Sequence, residues 1–241
     1  MSEFSPSSIF AASCEQDTAL EEAINAQLLH DDDTGAWQIG MSVHAGRNLI
    51  ATRWLRSGEL IFREHPIVAA RAVAIGEEQL MSCACAILDA SDDLRAAARS
   101  LQHLPSSPSA ANSFESWAQR MYRQTYMDAA GVGAGGSSPS LEDVTWALGV
   151  ASLNMHSSSH PCRGIIGVLS SLMEHGCEPS AIVEIGKATE GSVLSLRALR
   201  DIAPGHPITI CYVGYQLPTD ERRRRLQFQH GFRCTCQRCG P

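Results

Sequence analysis

Between Cys14 and Leu29 apolar residues recur at helical spacing, Ala19, Ala23 and Ala26 in one row and Leu20, Ile24 and Leu28 in the next, which predicts a short amphipathic helix. The run Asp31-Asp32-Asp33-Thr34-Gly35 ends it, because carboxylates and glycine continue a helix poorly. The period then changes. Trp37–Val43, Asn48–Thr52, Leu60–Phe62 and Ile67–Ala70 are strand-length apolar runs broken by Gly46, Ser57-Gly58 and Pro66, the pattern of a β-meander. Helical spacing resumes in the Ala- and Leu-rich stretch Glu77–Leu104 and in Phe114–Ala130, which carries aromatics on its helical rows. A third helix is predicted after Ser140, an N-cap with Asp143 three residues on. Ser- and Gly-rich stretches at 106–109 and 131–139 read as linkers, and the Ser-rich first ten residues as a loose end. Strand patterning returns at Ala181–Ile185, Ser192–Leu199 and, after the turn Ala203-Pro204-Gly205, Ile208–Val213. Pro218-Thr219-Asp220-Glu221 opens a final basic helix with acids in its first turn. The plan is β, a helical insertion, β and a cysteine-rich tail.

Composition narrows the class. With 44% hydrophobic and 19% charged residues in 241, the chain buries a core and is not disordered. A formal charge of −7 argues against a protein that coats nucleic-acid phosphates and favours a basic partner such as a Lys/Arg-rich peptide. Direct nucleic-acid binding is not expected. The longest strongly apolar run, Gly164 to Met173, is too short to cross a bilayer, and Met1-Ser2-Glu3-Phe4 does not begin a secretory signal, so no membrane role is expected. Nine cysteines, an odd number with no secretory signal, point to a reducing compartment in which clustered thiols mean metal or chemistry.

Three of the nine lie in Cys234-Thr235-Cys236-Gln237-Arg238-Cys239. Three thiolates on one short loop suit zinc, which is redox-inert and holds soft ligands in a closed tetrahedron, so a fourth ligand must come from elsewhere. Blander readings fit the other conspicuous residues. Cys83 and Cys85 fall on different sides of a helix and read as packed core thiols. His156, His160 and Cys162 read as polar loop residues in preference to a second metal site. Trp117, Tyr122 and Tyr126 read as helix-core packing in preference to a peptide-binding surface. Arg222–Arg225 reads as a solvated helix face, with a nuclear-localisation run as the alternative.

Leu172-Met173-Glu174-His175-Gly176-Cys177-Glu178-Pro179-Ser180 resembles the Asn-His-Ser-Cys-x-Pro-Asn element of the SET-domain protein lysine methyltransferases, and within them the SET/MYND subgroup. Other stretches agree in family order. Gly46-Arg47-Asn48-Leu49-Ile50-Ala51 resembles the opening glycine-rich turn, followed by Ser57-Gly58-Glu59-Leu60-Ile61. Leu153-Asn154-Met155-His156 is similar to the Asn-x-Phe element, and Pro207-Ile208-Thr209-Ile210-Cys211-Tyr212 to the strand that ends in the catalytic tyrosine. Pro218 to Leu226 and then Phe232-Arg233-Cys234 resemble the segment that follows a SET domain. A MYND finger would need two metal sites where only Cys83 and Cys85 occur, so that finger is not expected; with the sequence stopping at Pro241, the subgroup's helical C-terminal domain is not expected either.

The resemblance implies an α+β SET fold of small sheets with a zinc-bound post-SET tail. It divides the chain into an N-terminal extension (1–36), the first part of SET (37–76), a helical insertion (77–153), the second part of SET (154–226) and the post-SET zinc segment (227–241). It implies that Cys177 joins Cys234, Cys236 and Cys239 around one zinc. S-adenosylmethionine would be held by Arg47, Asn48, Asn154, Glu174, His175 through its backbone, Tyr212 and Phe232. Tyr212 would be the catalytic residue, with Cys211, Tyr212 and His230 along the lysine channel. Four positions depart from the pattern. Glu174 replaces an asparagine; its carboxylate would accept from the donor's ammonium and repel the donor's own carboxylate. Asn48 replaces a glycine, and asparagine tolerates positive φ better than most residues. Ser180 replaces a second asparagine, and His230 a tyrosine. The implied activity is methylation of a lysine on a basic protein such as a histone tail, in the nucleus and also the cytoplasm. The alternative is a degenerate, non-catalytic SET module serving as scaffold or peptide-binding subunit of a chromatin complex.

Overall fold

The computed structural model describes residues 20–28, 34–42, 46–72, 74–102, 104, 108–127, 139–159, 162–188 and 191–240. Residues 20–27 form helix α1, whose Leu20, Ala23 and Ile24 are buried. The end of that helix at Asp31–Asp33, the Ser-rich start, linker residues 106–107 and 131–138 and His160 lie outside the described residues, while Pro108 and Ser109 open a helix instead of continuing a linker.

The predicted meander is present as two separate pairings. Strands β1 (Trp37–Ser42) and β2 (Gly46–Ala51) form an antiparallel hairpin. Strand β3 (Leu60–Glu64) instead pairs with the late strand β9 (Gly191–Ala198), which pairs in turn with β8 (Ala181–Ala188). β4 (Val68–Arg71) pairs with β6 (Cys162–Ile166), and β6 with β5 (His156–Ser159). Residues 156–159 and 162–166 are therefore strands, not the loop expected from their polar residues; the Ile165-Ile166 pair, fully buried, anchors β6. The predicted strand Ile208–Val213 shortens to β10 (Thr209–Ile210), which runs parallel to β7 (Glu174–His175).

The helical stretch divides into α2 (Glu77–Leu88), α3 (Asp92–Arg99), α4 (Pro108–Tyr122) and α5 (Leu141–Asn154). Ser91 starts α3 where a single helix was expected, and Asp92 and Asp93 fill its first turn. Ser140 caps α5 as predicted, its hydroxyl accepting from the Asp143 N–H at 3.1 Å. Cys83 and Cys85 pack as expected, Cys83 against the Met155 sulfur at 3.4 Å and Cys85 against the Tyr126 hydroxyl at 3.5 Å. Trp117, Tyr122 and Tyr126 pack against the same core. Helix α6 (Thr219–His230) ends on Gly231, whose φ of 77° is the left-handed turn that glycine adopts freely. Among the described residues no helix is long and apolar enough to cross a membrane.

A carboxylate sits inside this core. β3 places Phe62 and Glu64 on its inward face, and Glu64 has no exposed surface. Its two oxygens accept the backbone N–H groups of Leu169 at 2.9 Å and Ser170 at 2.8 Å. Gly167 permits this approach, since a Cβ there would lie 2.2 Å from Glu64 Oε1. Desolvation by burial raises the Glu64 pKa, against the opposing pull of those hydrogen bonds.

Candidate functional site

Residues from both halves of the chain converge beside β7. Cys177 follows that strand, and the tail after α6 returns to it, so the Sγ atoms of Cys177, Cys234, Cys236 and Cys239 all lie within 4.8 Å of one another. Cys177 Sγ is 3.7 Å from Cys234 Sγ and 3.4 Å from Cys239 Sγ. Four thiolates around zinc with bonds of about 2.3 Å sit about 3.8 Å apart at the corners of a tetrahedron, so the arrangement fits a closed structural site. Burial and neighbouring thiols push the Cys177 thiol up. Burial acts on Cys236 in the same direction, but hydrogen bonds from the Cys239 backbone and the adjacent thiols bring it down to about 7.

Three arginines fasten this tail. Arg222, 2% exposed, donates to Leu217 O at 2.5 Å, to Thr219 Oγ1 at 3.2 Å and to Cys239 Sγ at 3.2 Å. Arg223 donates to the carbonyls of Cys234 at 3.0 Å and Gly240 at 2.5 Å. Arg238 donates to the carbonyl of Cys177 at 2.7 Å. Arg224 and Arg225 instead pair with Glu221 on their own helix. The run Arg222–Arg225 is thus not one solvated face: its first two members turn inward to hold the tail.

In front of the cluster lies a cleft of about 240 Å³ lined by Gly46, Arg47, Gln102, Met173, Glu174 and Tyr212, among others. Gly46, with φ 73°, turns the chain into β2 and sets Arg47 on the rim. Asn48 follows inside the strand; no described non-glycine residue has positive φ, so the tolerance expected of Asn48 is not called on. Its side chain does something else. Asn48 Nδ2 donates to Glu174 Oε1 at 2.5 Å, so two departures from the family pattern are partners in this chain. Arg47 donates to Ser100 O at 2.5 Å. Asn154 spends its amide hydrogens on Gln102 O at 2.7 Å and Val150 O at 2.8 Å, holding the cleft wall instead of presenting them to a ligand.

Tyr212 donates its hydroxyl proton to Met173 O, and burial followed by the Glu174 charge raises its pKa, so it stays protonated at neutral pH. Its ring lies 4.6 Å from that of His230 and 5.3 Å from that of His175, with the Phe232 ring 5.9 Å from His175. Burial brings the pKa of both histidines down to about 4, helped for His175 by the Arg222 charge and for His230 by His175. His175 Nδ1 accepts the Tyr212 backbone N–H at 3.2 Å, and its Nε2 lies 3.2 Å from Cys177 Sγ. Cys211 directs its thiol at Val213 O, 2.6 Å away. A larger hollow of about 560 Å³ among α3, α4 and α5, lined by Arg99, Glu115, Glu142 and Trp146, shares no lining residue with the cleft.

Sequence reasoning missed Glu64 and Arg222, although a lone acid in the inward register of an apolar strand was a signal for the first. Ser180 does more than stand in for an asparagine. Its buried hydroxyl accepts the Thr209 N–H at 2.9 Å, which ties the loop after Cys177 to β10.

The sequence profile of the SET domain matches residues 46–213, and the chain belongs to that family. Over 69 residues it is 41% identical to the human histone-lysine N-methyltransferase SMYD3 and 35% identical to the human N-lysine methyltransferase SMYD2, in each case 29% of this chain and 15% of the relative. It is 37% identical over 76 residues to the histone-lysine N-methyltransferase SET5 of Yarrowia lipolytica, 32% of this chain and 17% of that one. The matches therefore span less than a fifth of those relatives' length. The fold is similar to the SET domain of LSMT bound to lysine and AdoHcy, with a TM-score of 0.61 at 14% identity, covering 94% of this chain and 58% of that one. It is likewise similar to Rubisco LSMT bound to AdoMet, with a TM-score of 0.59 at 14% identity, covering 96% of this chain and 57% of that one.

Proposed function

We propose that this chain is an S-adenosylmethionine-dependent protein-lysine N-methyltransferase with one structural zinc, acting on a basic protein segment such as a histone tail, in the nucleus and also the cytoplasm. One observation carries the reading: Arg47 and Glu174 put a cation and an anion on the walls of a cleft that Tyr212 closes. Such walls suit the carboxylate and ammonium of an amino-acid end, with the Asn48 bond holding the Glu174 carboxylate in place. The repulsion that Glu174 alone would impose on the donor's carboxylate is offset by the Arg47 charge.

When bound, S-adenosylmethionine supplies a methyl group on a sulfonium sulfur. The protein's part is alignment and exclusion of water. Tyr212, kept protonated and pinned to the Met173 carbonyl, is not a base; it offers a fixed oxygen whose lone pairs orient the polar reactants. A free lysine titrates near 10.4, so the amine must shed its proton before it attacks; the half-buried surroundings of Tyr212 and His230, both histidines neutral, favour its uncharged form. Phe232 and His230 shield that side from solvent. The acidic balance of the chain draws a basic substrate. The four cysteines would hold zinc and keep Phe232, two residues before Cys234, against His175.

Calorimetry with S-adenosylmethionine and S-adenosylhomocysteine, then transfer of labelled methyl to histone and other basic peptides, tests the reading. Saturable heat and label on lysine support it. A folded, zinc-loaded protein that gives neither is a scaffold and refutes the enzyme.

A further inference from the structure

Arg222 poses an electrostatic problem. The residue is 2% exposed, its buried Nε has no partner, and no carboxylate pairs with it among the described residues. A buried cation without a counter-charge is strongly disfavoured, which is why such groups are rare in cores. The nearest candidates for negative charge are sulfurs: Cys239 Sγ accepts from Nη2 at 3.2 Å, and Cys177, Cys234 and Cys236 lie within 4.8 Å of that sulfur. Zinc with four thiolates carries a net charge of 4 − 2 = 2 negative units, of which one arginine cancels half.

His175 meets the same cluster from the other side. Its Nδ1 receives the Tyr212 N–H and so must be the acceptor; in a neutral imidazole the remaining proton is then on Nε2, 3.2 Å from Cys177 Sγ. One ring thus bridges the cluster to the backbone of Tyr212, and a second element, α6, reaches it through Arg222.

We propose that Arg222 and His175 are the outer hydrogen-bond donors to the metal-bound thiolates of Cys239 and Cys177, and that His175 thereby ties the position of Tyr212 to the metal. This rests on the reading of the four cysteines as a metal site. Both are positioning residues. Thiolates that accept hydrogen bonds are weaker electron donors to the metal yet better accommodated in a buried site, so losing a donor lowers affinity and changes the metal–sulfur electronic spectrum.

The test uses the full chain, loaded with zinc for affinity against a chromophoric chelator and with cobalt(II) for its thiolate-to-metal charge-transfer bands. His175→Phe removes the donor, and His175→Gln restores an N–H at the Nε2 position. Expected is a zinc affinity about tenfold or more lower with shifted cobalt bands in His175→Phe, and near-recovery of both in His175→Gln. Arg222→Met should act like His175→Phe; if it does not fold, the His175 pair decides alone. His175→Phe with cobalt bands unmoved and zinc affinity within about twofold of the parent overturns the proposal while leaving the metal site intact. A parent protein that binds no zinc overturns the metal reading and this proposal with it.

Discussion

Replacing Glu64 by alanine should loosen the cleft beside Tyr212 from behind. Glu64 accepts the N–H groups of Leu169 and Ser170, and the next residues, Ser171 to Glu174, line the cleft. Each buried amide left without a partner costs about 1–3 kcal/mol, so the pair is worth about 2–6 kcal/mol. Part of that returns, because burial already disfavours the carboxylate it replaces. A net loss of about 2 kcal/mol lowers the melting temperature of a domain this size by about 4–8 °C. Hydrogen exchange should quicken at residues 169–174, and donor affinity should fall. Glu64→Gln separates charge from hydrogen bonding. An acid whose folded pKa is raised binds more protons in the native state, so stability is lost as pH rises from the unfolded value near 4.5 through the folded one. The parent's margin over Glu64→Gln should therefore shrink as pH rises from 4.5. A margin independent of pH, or Glu64→Ala melting with the parent, would refute the reasoning.

Cys177→Ser and Cys236→Ser should each abolish the one equivalent of zinc expected from elemental analysis and expose the chain near residue 231 to limited proteolysis; full zinc content in either would remove the ligand set. Glu174→Gln should weaken S-adenosylmethionine binding about tenfold in calorimetry, as expected for one charge-assisted hydrogen bond, and an unchanged constant would place the donor elsewhere. Tyr212→Phe should lower methyl transfer about a hundredfold with donor affinity little altered; equal turnover would remove its catalytic assignment. Burial lowers the His156 pKa to about 4, so its contribution to stability is present above pH 6.5 and lost as pH falls toward 4. Replacing His156 by leucine should flatten that acid limb in urea titrations, and an identical limb would show that other groups set it.

The candidate site was far more legible in the sequence than the sheets that frame it. The Cys-x-Cys-x2-Cys spacing and the Glu174–Cys177 segment carry chemistry in a few contiguous letters, and the resemblance linked them. Sheet partners leave no such mark. β5 reads His156-Ser157-Ser158-Ser159, with no apolar alternation; it is the edge strand beside β6, which supplies the isoleucines. β7 and β10 are two residues each, too short for any period to register. Arg222 looked solvent-bound because propensity and charge place arginine outside; only the sulfurs brought by a distant segment explain its burial. Asn48 and Glu174 each read as a flaw because their contact spans 126 positions.

Two of the four early strands are completed by later ones, β3 by β9 and β4 by β6, with Ile50 bridged to Pro207 and Leu55 to Ile202. On a ribosome, local hairpins such as β1–β2 and β8–β9 pair at once, whereas β3 waits exposed while more than a hundred further residues are made. Such distant pairing is slow to nucleate and leaves strand edges open to other nascent chains, so chaperone demand and the yield of recombinant protein should follow the pace of synthesis more closely than the final stability.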